Sequence, residues 1–379
     1  MIQVAAAIVI AYLVTFFLLP FVIKMAKQSR LFDIPDERKT HTYLISSLGG
    51  IGIFTGLALS LLLTCDFKSN EAEFQYFVAA CFIIFTIGIV DDIFVLRPYK
   101  KLIGQLVTTA IITVKCNLVI NNLDGLFGVH HLGLVSSYAL SFFVILLIIN
   151  AFNLIDGVDG LAASLGLASS VIFSLFFLIN QNYPYAILGF ALAGALLAFL
   201  VFNFHPAKIF MGDSGSMLIG LVNSILLIKF MNTGSTVTDY PVAAAPLLGF
   251  GILLIPILDV LRVFCIRLSK GRSPFSPDRN HIHHLLLAKG LSHSQVTLTL
   301  LALSVFLSAA SFFFRGVNVH LLFFLQVSVF FSGLLAFNYF TSAKKPLRVV
   351  SGISKQDDDI PIKVFSLYRK KEKSVIKED

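Results

Sequence analysis

The chain has 379 residues, of which 57% are hydrophobic and 13% charged, with 38 Phe, no Trp and a formal net charge of +8. A soluble globular domain carries about 25% charged residues, so this composition excludes a soluble two-domain protein and describes a chain with enough apolar surface to face lipid. Cys65, Cys81, Cys116 and Cys265 sit in or beside apolar runs without CxxC spacing, so they imply neither a disulfide framework nor a zinc site.

Crossing a hydrocarbon core of ~30 Å takes about 20 mostly apolar residues. Eleven such runs follow one another, near 2–23, 48–65, 74–90, 102–120, 134–152, 160–179, 184–202, 216–231, 241–266, 295–314 and 319–341. The expected fold is therefore all-α, a polytopic integral membrane protein of about eleven transmembrane helices. The first run has no basic segment before it and no small-residue cleavage site after it, so it reads as a retained helix. Lys and Arg collect on the cytoplasmic side of membrane proteins. With the N-terminus outside, in the periplasm, and the C-terminus in the cytoplasm, the inside loops and tail hold 25 of the 29 basic residues. Only Lys68, Lys115, Lys229 and Arg315 fall elsewhere, and Lys115 and Lys229 are expected to snorkel outward. The positive charge is thus a membrane signature, not a nucleic-acid one. Residues 1–341 form the expected membrane domain, and 342–379 a polar, solvated cytoplasmic tail.

Every unusual polar cluster falls on that cytoplasmic side, in loops 24–47, 91–101, 150–160, 203–216 and 267–294. Asp91 and Asp92 end the third run, followed by Arg97, Lys100 and Lys101; such a carboxylate pair at a membrane edge needs a cation, a metal or water. Asn150, Asn153 and Asp156 recur every three residues and share a broad helical face, with Gly157, Asp159 and Gly160 beyond. Amide and carboxylate oxygens are the donors that Mg²⁺ takes alongside substrate phosphates. The stretch from Asn203 to Ser216 holds Phe210 and then Asp213 between Gly212 and Ser214, a metal ligand beside free backbone N–H groups, without Walker A spacing. The longest inside loop carries Arg272, Arg279, His281, His283 and His284 with no Cys or HExxH pattern, which suits pyrophosphate better than zinc. Asp259 and Arg262 read as a local ion pair near the inner interface. Carboxylates for a metal, cations for phosphate and histidines for protons together point to phosphoryl transfer.

In this order and between these runs, the motifs closely resemble the polyprenyl-phosphate N-acetylhexosamine-1-phosphate transferases, within them the bacterial WecA-like branch. The resemblance spans Leu31 to Gly290 and includes D-I-P-D-E-R-K-T-H at 33–41, Asp91-Asp92 with Lys101, N-A-F-N-L-I-D-G-V-D-G-L at 150–161, F-M-G-D-S-G-S at 210–216 and H-I-H-H at 281–284. It implies transfer of GlcNAc-1-phosphate from UDP-GlcNAc to undecaprenyl phosphate with release of UMP. That would be the first membrane step of a cell-surface polysaccharide such as O-antigen lipopolysaccharide, in the bacterial inner membrane with its site on the cytoplasmic face. It also implies Mg²⁺, with Mn²⁺ as an alternative, held by Asp213 and Asn153. By the same resemblance Asp91 and Asp92 are the essential acidic pair and Lys101 binds phosphate. Asp156 and Asp159 lie near metal or nucleotide, and Asn203 and Phe210 lie beside the uridine. Arg279, His281, His283 and His284 close over the pyrophosphate. A second copy of the chain is a candidate partner. Ser46 departs from the branch, which usually has Pro there.

Rival readings remain open at this point. The related phospho-MurNAc-pentapeptide transferases typically show three consecutive His and then Glu, whereas this loop reads H-I-H-H-L, favouring a simple N-acetylhexosamine donor. Asp91 or Asp92 could be a covalent nucleophile, although an acceptor phosphate with a second pKa near 6 needs little help from a base. A secondary transporter is the rival of another class, but transporter sites lie at the midplane between repeated halves, and these clusters lie at one edge.

Overall fold

The computed structural model describes residues 1–29, 45–65, 72–237, 239–273 and 280–340. In chain order it forms α1 (Ile2–Gln28), α2 (Gly49–Thr64), α3 (Ala72–Phe94), α4 (Pro98–Ala110), α5 (Leu134–Ile155), α6 (Leu161–Ile179) and α7 (Tyr183–Asn203). There follow α8 (Gly212–Thr233), α9 (Ala245–Ile252), α10 (Leu254–Ser269), α11 (Ile282–Ala288), α12 (His293–Phe313) and α13 (Val319–Phe340). Among the described residues the only pairing outside helices and turns is an isolated antiparallel bridge between Asn122 and His131. The all-α membrane architecture is therefore as expected, since a helix satisfies every backbone group within its own segment where lipid offers no partner.

Among the described residues eight helices are long and apolar enough to cross a membrane, or nine if α9 and α10, bent by 79° at Leu253, form one span. The other two expected runs behave differently. Residues 48–65 yield the 16-residue α2, short for a bilayer, and 102–120 belong to α4, which starts earlier at Pro98 and ends in a π-helical turn at Ile111–Lys115. The motif at 33–41 and the tail after Thr341 lie outside the described residues.

The core is built round α8, 94% of whose apolar window is buried. It packs against α2, α3, α5, α6, α7 and α9. Between helices in lipid the hydrophobic effect gives little drive, so small residues and side-chain hydrogen bonds hold the bundle. Ser60 Oγ donates to the Ala7 carbonyl at 2.8 Å, Thr15 Oγ1 to the Gly52 carbonyl at 3.0 Å, and Ser169 Oγ to Asn223 Oδ1 at 2.7 Å. Such bonds average about 0.6 kcal/mol each, reaching about 1.7. Lys229 does not simply snorkel outward: its Nζ lies 4.0 Å from Glu73 Oε1 and 4.5 Å from the centre of the Tyr185 ring. The starts of α2, α4, α6, α8 and α12 and the ends of α3, α5 and α7 meet at one end of the bundle, where the acidic motifs lie.

Candidate active site

A helix start leaves N–H groups without intrahelical partners. At α8 these are met by Asp92, from the end of α3. Its Oδ1 accepts from Asp213 N at 2.7 Å, and its Oδ2 accepts from Ser214 N at 3.1 Å and Ser214 Oγ at 2.7 Å. A carboxylate there also meets the positive end of the helix dipole. This approach depends on glycine: a β-carbon on Gly88, one turn before Asp92, would lie 2.3 Å from Ser214 Cα. The preceding loop is fixed to the start of α2, with Phe210 N donating to the Ser46 carbonyl at 2.8 Å, Gly49 N to the Phe210 carbonyl at 2.9 Å and Gly50 N to the Met211 carbonyl at 2.9 Å. Ser46 thus serves through its backbone. Held on two sides, the first turn of α8 aims Asp213 at the other acidic motifs.

There the side chain of Lys101, from the first turns of α4, is surrounded by oxygen. Its Nζ reaches Asn153 Oδ1 at 3.1 Å and Asp91 Oδ2 at 3.4 Å, and forms a close ion pair with Asp213. Asn153, near the end of α5, donates through Nδ2 to Asp213 Oδ1 at 2.7 Å and to Ser216 Oγ at 3.0 Å. Asp91 Oδ1 accepts from Leu96 N at 2.5 Å. One turn behind, Asn150 Nδ2 donates to Gln105 Oε1 at 3.0 Å, tying α5 to α4. Asp156 follows α5 directly. Burial, reinforced by the charges of Asp213, Asp92 and Asp159, pushes its carboxyl up to about 8.

A second cluster adjoins through Asp159, which is 3% exposed. His205 Nδ1 lies 2.7 Å from Asp159 Oδ2, and His293 Nδ1 lies 3.4 Å from Asp159 Oδ1. Asn203 braces this loop with both ends of its amide: Oδ1 accepts from Gly160 N at 2.9 Å and Nδ2 donates to the Ile209 carbonyl at 2.8 Å. The ring of Phe210, expected beside the uridine, is half-buried.

The histidine loop is anchored from α10. Asp259 Oδ2 pairs with His281 Nδ1 at 2.8 Å, while Asp259 Oδ1 accepts from Ile282 N at 2.9 Å and from the Arg262 guanidinium at 2.8 Å. The Asp259–Arg262 pair read from the sequence therefore exists, and it also holds the start of α11. His283 packs on Gly157, where a β-carbon would lie 2.4 Å from its Nε2, and its ring is parallel to that of His281 at 5.8 Å. Burial pulls the pKa of His283 down to about 3, so the imidazole is neutral at physiological pH. His284 packs beside it, ring centres 4.3 Å apart. Arg279 lies outside the described residues.

The structure thus joins Asp91, Lys101, Asn153 and Asp213 in one contact set, with Asp92 beneath it and Asp156 beside it. Asp159 and Asn203 form a neighbouring brace, and His281, His283 and His284 a third group that reaches Gly157 of the 150–160 motif. Gly88, Gln105 and His293 were not singled out from the sequence, and His205, Ser214 and Ser216 entered only as members of the 203–216 stretch, without a role of their own. Only Gly88, four residues before Asp92, carried a local signal; His293 stands nine residues past the histidine motif in no pattern.

Acidic groups, an ammonium and imidazoles are thus gathered at one end of the bundle. The glycosyl transferase family 4 model matches residues 74–231, the stretch from α3 through the first turns of α8 and beyond. The chain belongs to this family. It is 34% identical to the decaprenyl-phosphate N-acetylglucosaminephosphotransferase of Mycolicibacterium smegmatis, over 80% of this chain and 81% of that protein. It is 32% identical to the enzyme of the same name from Mycobacterium leprae, over 81% and 83%. It is also 32% identical to the undecaprenyl-phosphate alpha-N-acetylglucosaminyl 1-phosphate transferase of Escherichia coli K12, over 80% and 82%. Membership decides for a membrane-embedded transferase and against the transporter reading.

Proposed function

We propose that this protein transfers N-acetylglucosamine 1-phosphate from UDP-GlcNAc to undecaprenyl phosphate, releasing UMP and leaving undecaprenyl-pyrophosphoryl-GlcNAc. The observation that carries the reading is the oxygen cage round Lys101, formed by Asp91, Asn153 and Asp213, in a chain whose relatives are polyprenyl-phosphate GlcNAc phosphotransferases. That cage already stabilises one positive charge, and its carboxylate and amide oxygens are hard donors of the kind Mg²⁺ takes with substrate phosphates. Asp213 and Asn153 would hold the ion, with Mn²⁺ as an alternative. When bound, the ion supplies charge neutralisation at the pyrophosphate of the donor.

The protein's own groups account for the rest. An acceptor oxygen attacks the sugar-bearing β-phosphorus, a new P–O bond forms, and the bond to UMP breaks. At neutral pH the acceptor phosphate is already mostly a dianion, since its second pKa is about 6, and no side chain has to remove a proton. Lys101 leaves its cage contacts to meet phosphate oxygens, and Asp91 stabilises and orients it. Asp92 positions Asp213 through the start of α8. Neutral His283, set against the loop that follows Asn153, offers a hydrogen bond and not a charge. Phe210 supplies an aromatic surface for the uracil. The excess of basic residues in the expected inside loops supports a reaction on the cytoplasmic face of the inner membrane, at the first membrane step of a cell-surface polysaccharide such as O-antigen.

Incubating the purified protein with labelled UDP-GlcNAc and undecaprenyl phosphate tests this. Lipid-extractable product is expected with Mg²⁺ and none with EDTA, and UDP-GalNAc and UDP-MurNAc-pentapeptide are expected to be poorer donors. Product formed equally in EDTA would refute the metal role, and a preference for the peptide-bearing donor would move the protein to the neighbouring branch.

A further inference from the structure

The contacts among Lys101, Asn153 and Asp213 rest on a second layer of side chains. Residues three or four apart on a helix share one face. On that spacing Gln105 lies one turn below Lys101 on α4, Asn150 one turn below Asn153 on α5, and Met217 one turn below Asp213 on α8. These three touch as their upper neighbours do. Asn150 Nδ2 donates to Gln105 Oε1 at 3.0 Å, and Gln105 Nε2 returns a longer bond to Asn150 Oδ1 at 3.4 Å and reaches Met217 Sδ at 3.5 Å. Gln105 is 1% exposed. A further bond from Asn150 Nδ2, to the Leu146 carbonyl at 2.8 Å, fixes which way that amide faces.

Among the described residues two side-chain pairs hydrogen-bond α4 to α5, Lys101 with Asn153 and Gln105 with Asn150. In the proposed transfer, on which this inference rests, Lys101 gives up the first of these to meet phosphate oxygens. The amide pair is then the hydrogen-bonded link that remains, between helices held together by such bonds and by close packing. On its other side α4 is fitted against α3, where a β-carbon on Gly104 would overlap the Ile87 side chain. The chemistry of the pair suits its place. Two amides satisfy each other without net charge, whereas a buried carboxylate at position 105 would offer Lys101 a rival partner away from the phosphate.

We propose that Gln105, acting through Asn150, is a positioning residue of this site. It holds the backbones that carry Lys101 and Asn153 at a fixed separation while the lysine changes partners. Because Gln105 is buried a turn away from the reacting groups, its effect falls on turnover more than on donor binding.

Two changes to the full chain test this. Gln105→Met keeps the length and helix propensity of the side chain and removes its amide. The exchange of Gln105→Asn with Asn150→Gln restores an amide pair of the same combined length. In the transferase assay Gln105→Met should lower kcat about 10- to 100-fold, the scale of a displacement of ~1 Å, and leave the KM for UDP-GlcNAc nearly unchanged. The exchange variant should be clearly faster than Gln105→Asn alone. A second readout needs no turnover. Lys101 is largely buried and Lys100 exposed, so acylation by an amine-reactive ester, read by peptide mass spectrometry, reports how firmly Lys101 is held relative to its neighbour. The ratio of Lys101 to Lys100 labelling should rise severalfold in Gln105→Met, whereas a general loss of structure would raise both. An unchanged kcat with an unchanged ratio, a lower kcat with both lysines labelled faster, or an exchange variant no faster than Gln105→Asn alone would overturn the proposal. If the unaltered protein yields no lipid product while the ratio still follows Gln105, the transferase reading fails and the positioning role stands.

Discussion

Asp91 and Asp92 are neighbours in sequence with different surroundings. Asp92 spends both oxygens on the first turn of α8, whereas Asp91 faces Lys101. Asp92→Ala should therefore cost stability, about 1–2 kcal/mol as for the loss of a helix cap, together with activity. Asp91→Asn should keep the melting temperature and lower turnover. Equal melting temperatures for the two variants would contradict the division. If Asp91→Asn retains substantial turnover and no covalent phospho-enzyme can be trapped, the nucleophile role fails as well. Asp156 gives a pH signature. Its carboxyl titrates near 8 in the folded protein against 3.8 for the ordinary group. Between those values the folded state holds a proton that the unfolded chain has released, so this group's contribution to stability is present at low pH and lost as pH rises through the window. In EDTA, the melting temperature of the unaltered protein should fall more steeply between about pH 5 and about pH 8 than that of Asp156→Asn; equal slopes would contradict the shift.

At the scale of elements, the site is a convergence of helix ends, and its tolerance is set by how closely they approach. The start of α8 rests against α3 at Gly88, and an added β-carbon would meet backbone atoms of Asp213 and Ser214. Gly88→Ala should destabilise by about 1–3 kcal/mol, the usual cost of overpacking, and reduce activity by displacing Asp213. A melting temperature within a degree of the unaltered protein's would contradict that packing. The same contacts explain what the sequence could and could not reveal. Asp91-Asp92, Asn153 to Asp159 and Asp213 were legible because each is a local polar break in an apolar run. The pairing of Asp92 with Ser214, the brace from Asn203 to Gly160 and the anchoring of His281 by Asp259 join residues 22 to 122 positions apart, and no local pattern encodes them. Apolar run length also counted 48–65 as a full span where α2 has 16 residues, and it began the fourth run four residues late, because apolar content reports lipid or core contact alike, whereas Pro98 sets where α4 begins.

For the whole molecule, scarcity of charge gives the few charged groups their meaning. The acidic residues of the motifs converge at one end of the bundle. A hydrophobic bundle with its polar chemistry at one edge suits the proposed reaction between a water-soluble donor and a lipid acceptor, because each substrate would reach the same Lys101 from its own phase. The reaction class is what distinguishes this account from simple glycosyl transfer: phosphorus must move with the sugar. UDP-GlcNAc labelled in both the β-phosphate and the sugar, incubated with undecaprenyl phosphate, Mg²⁺ and the purified protein, tests this directly. Both labels should appear in the lipid in a one-to-one ratio with UMP released; sugar label alone in the lipid, with UDP released, would contradict it.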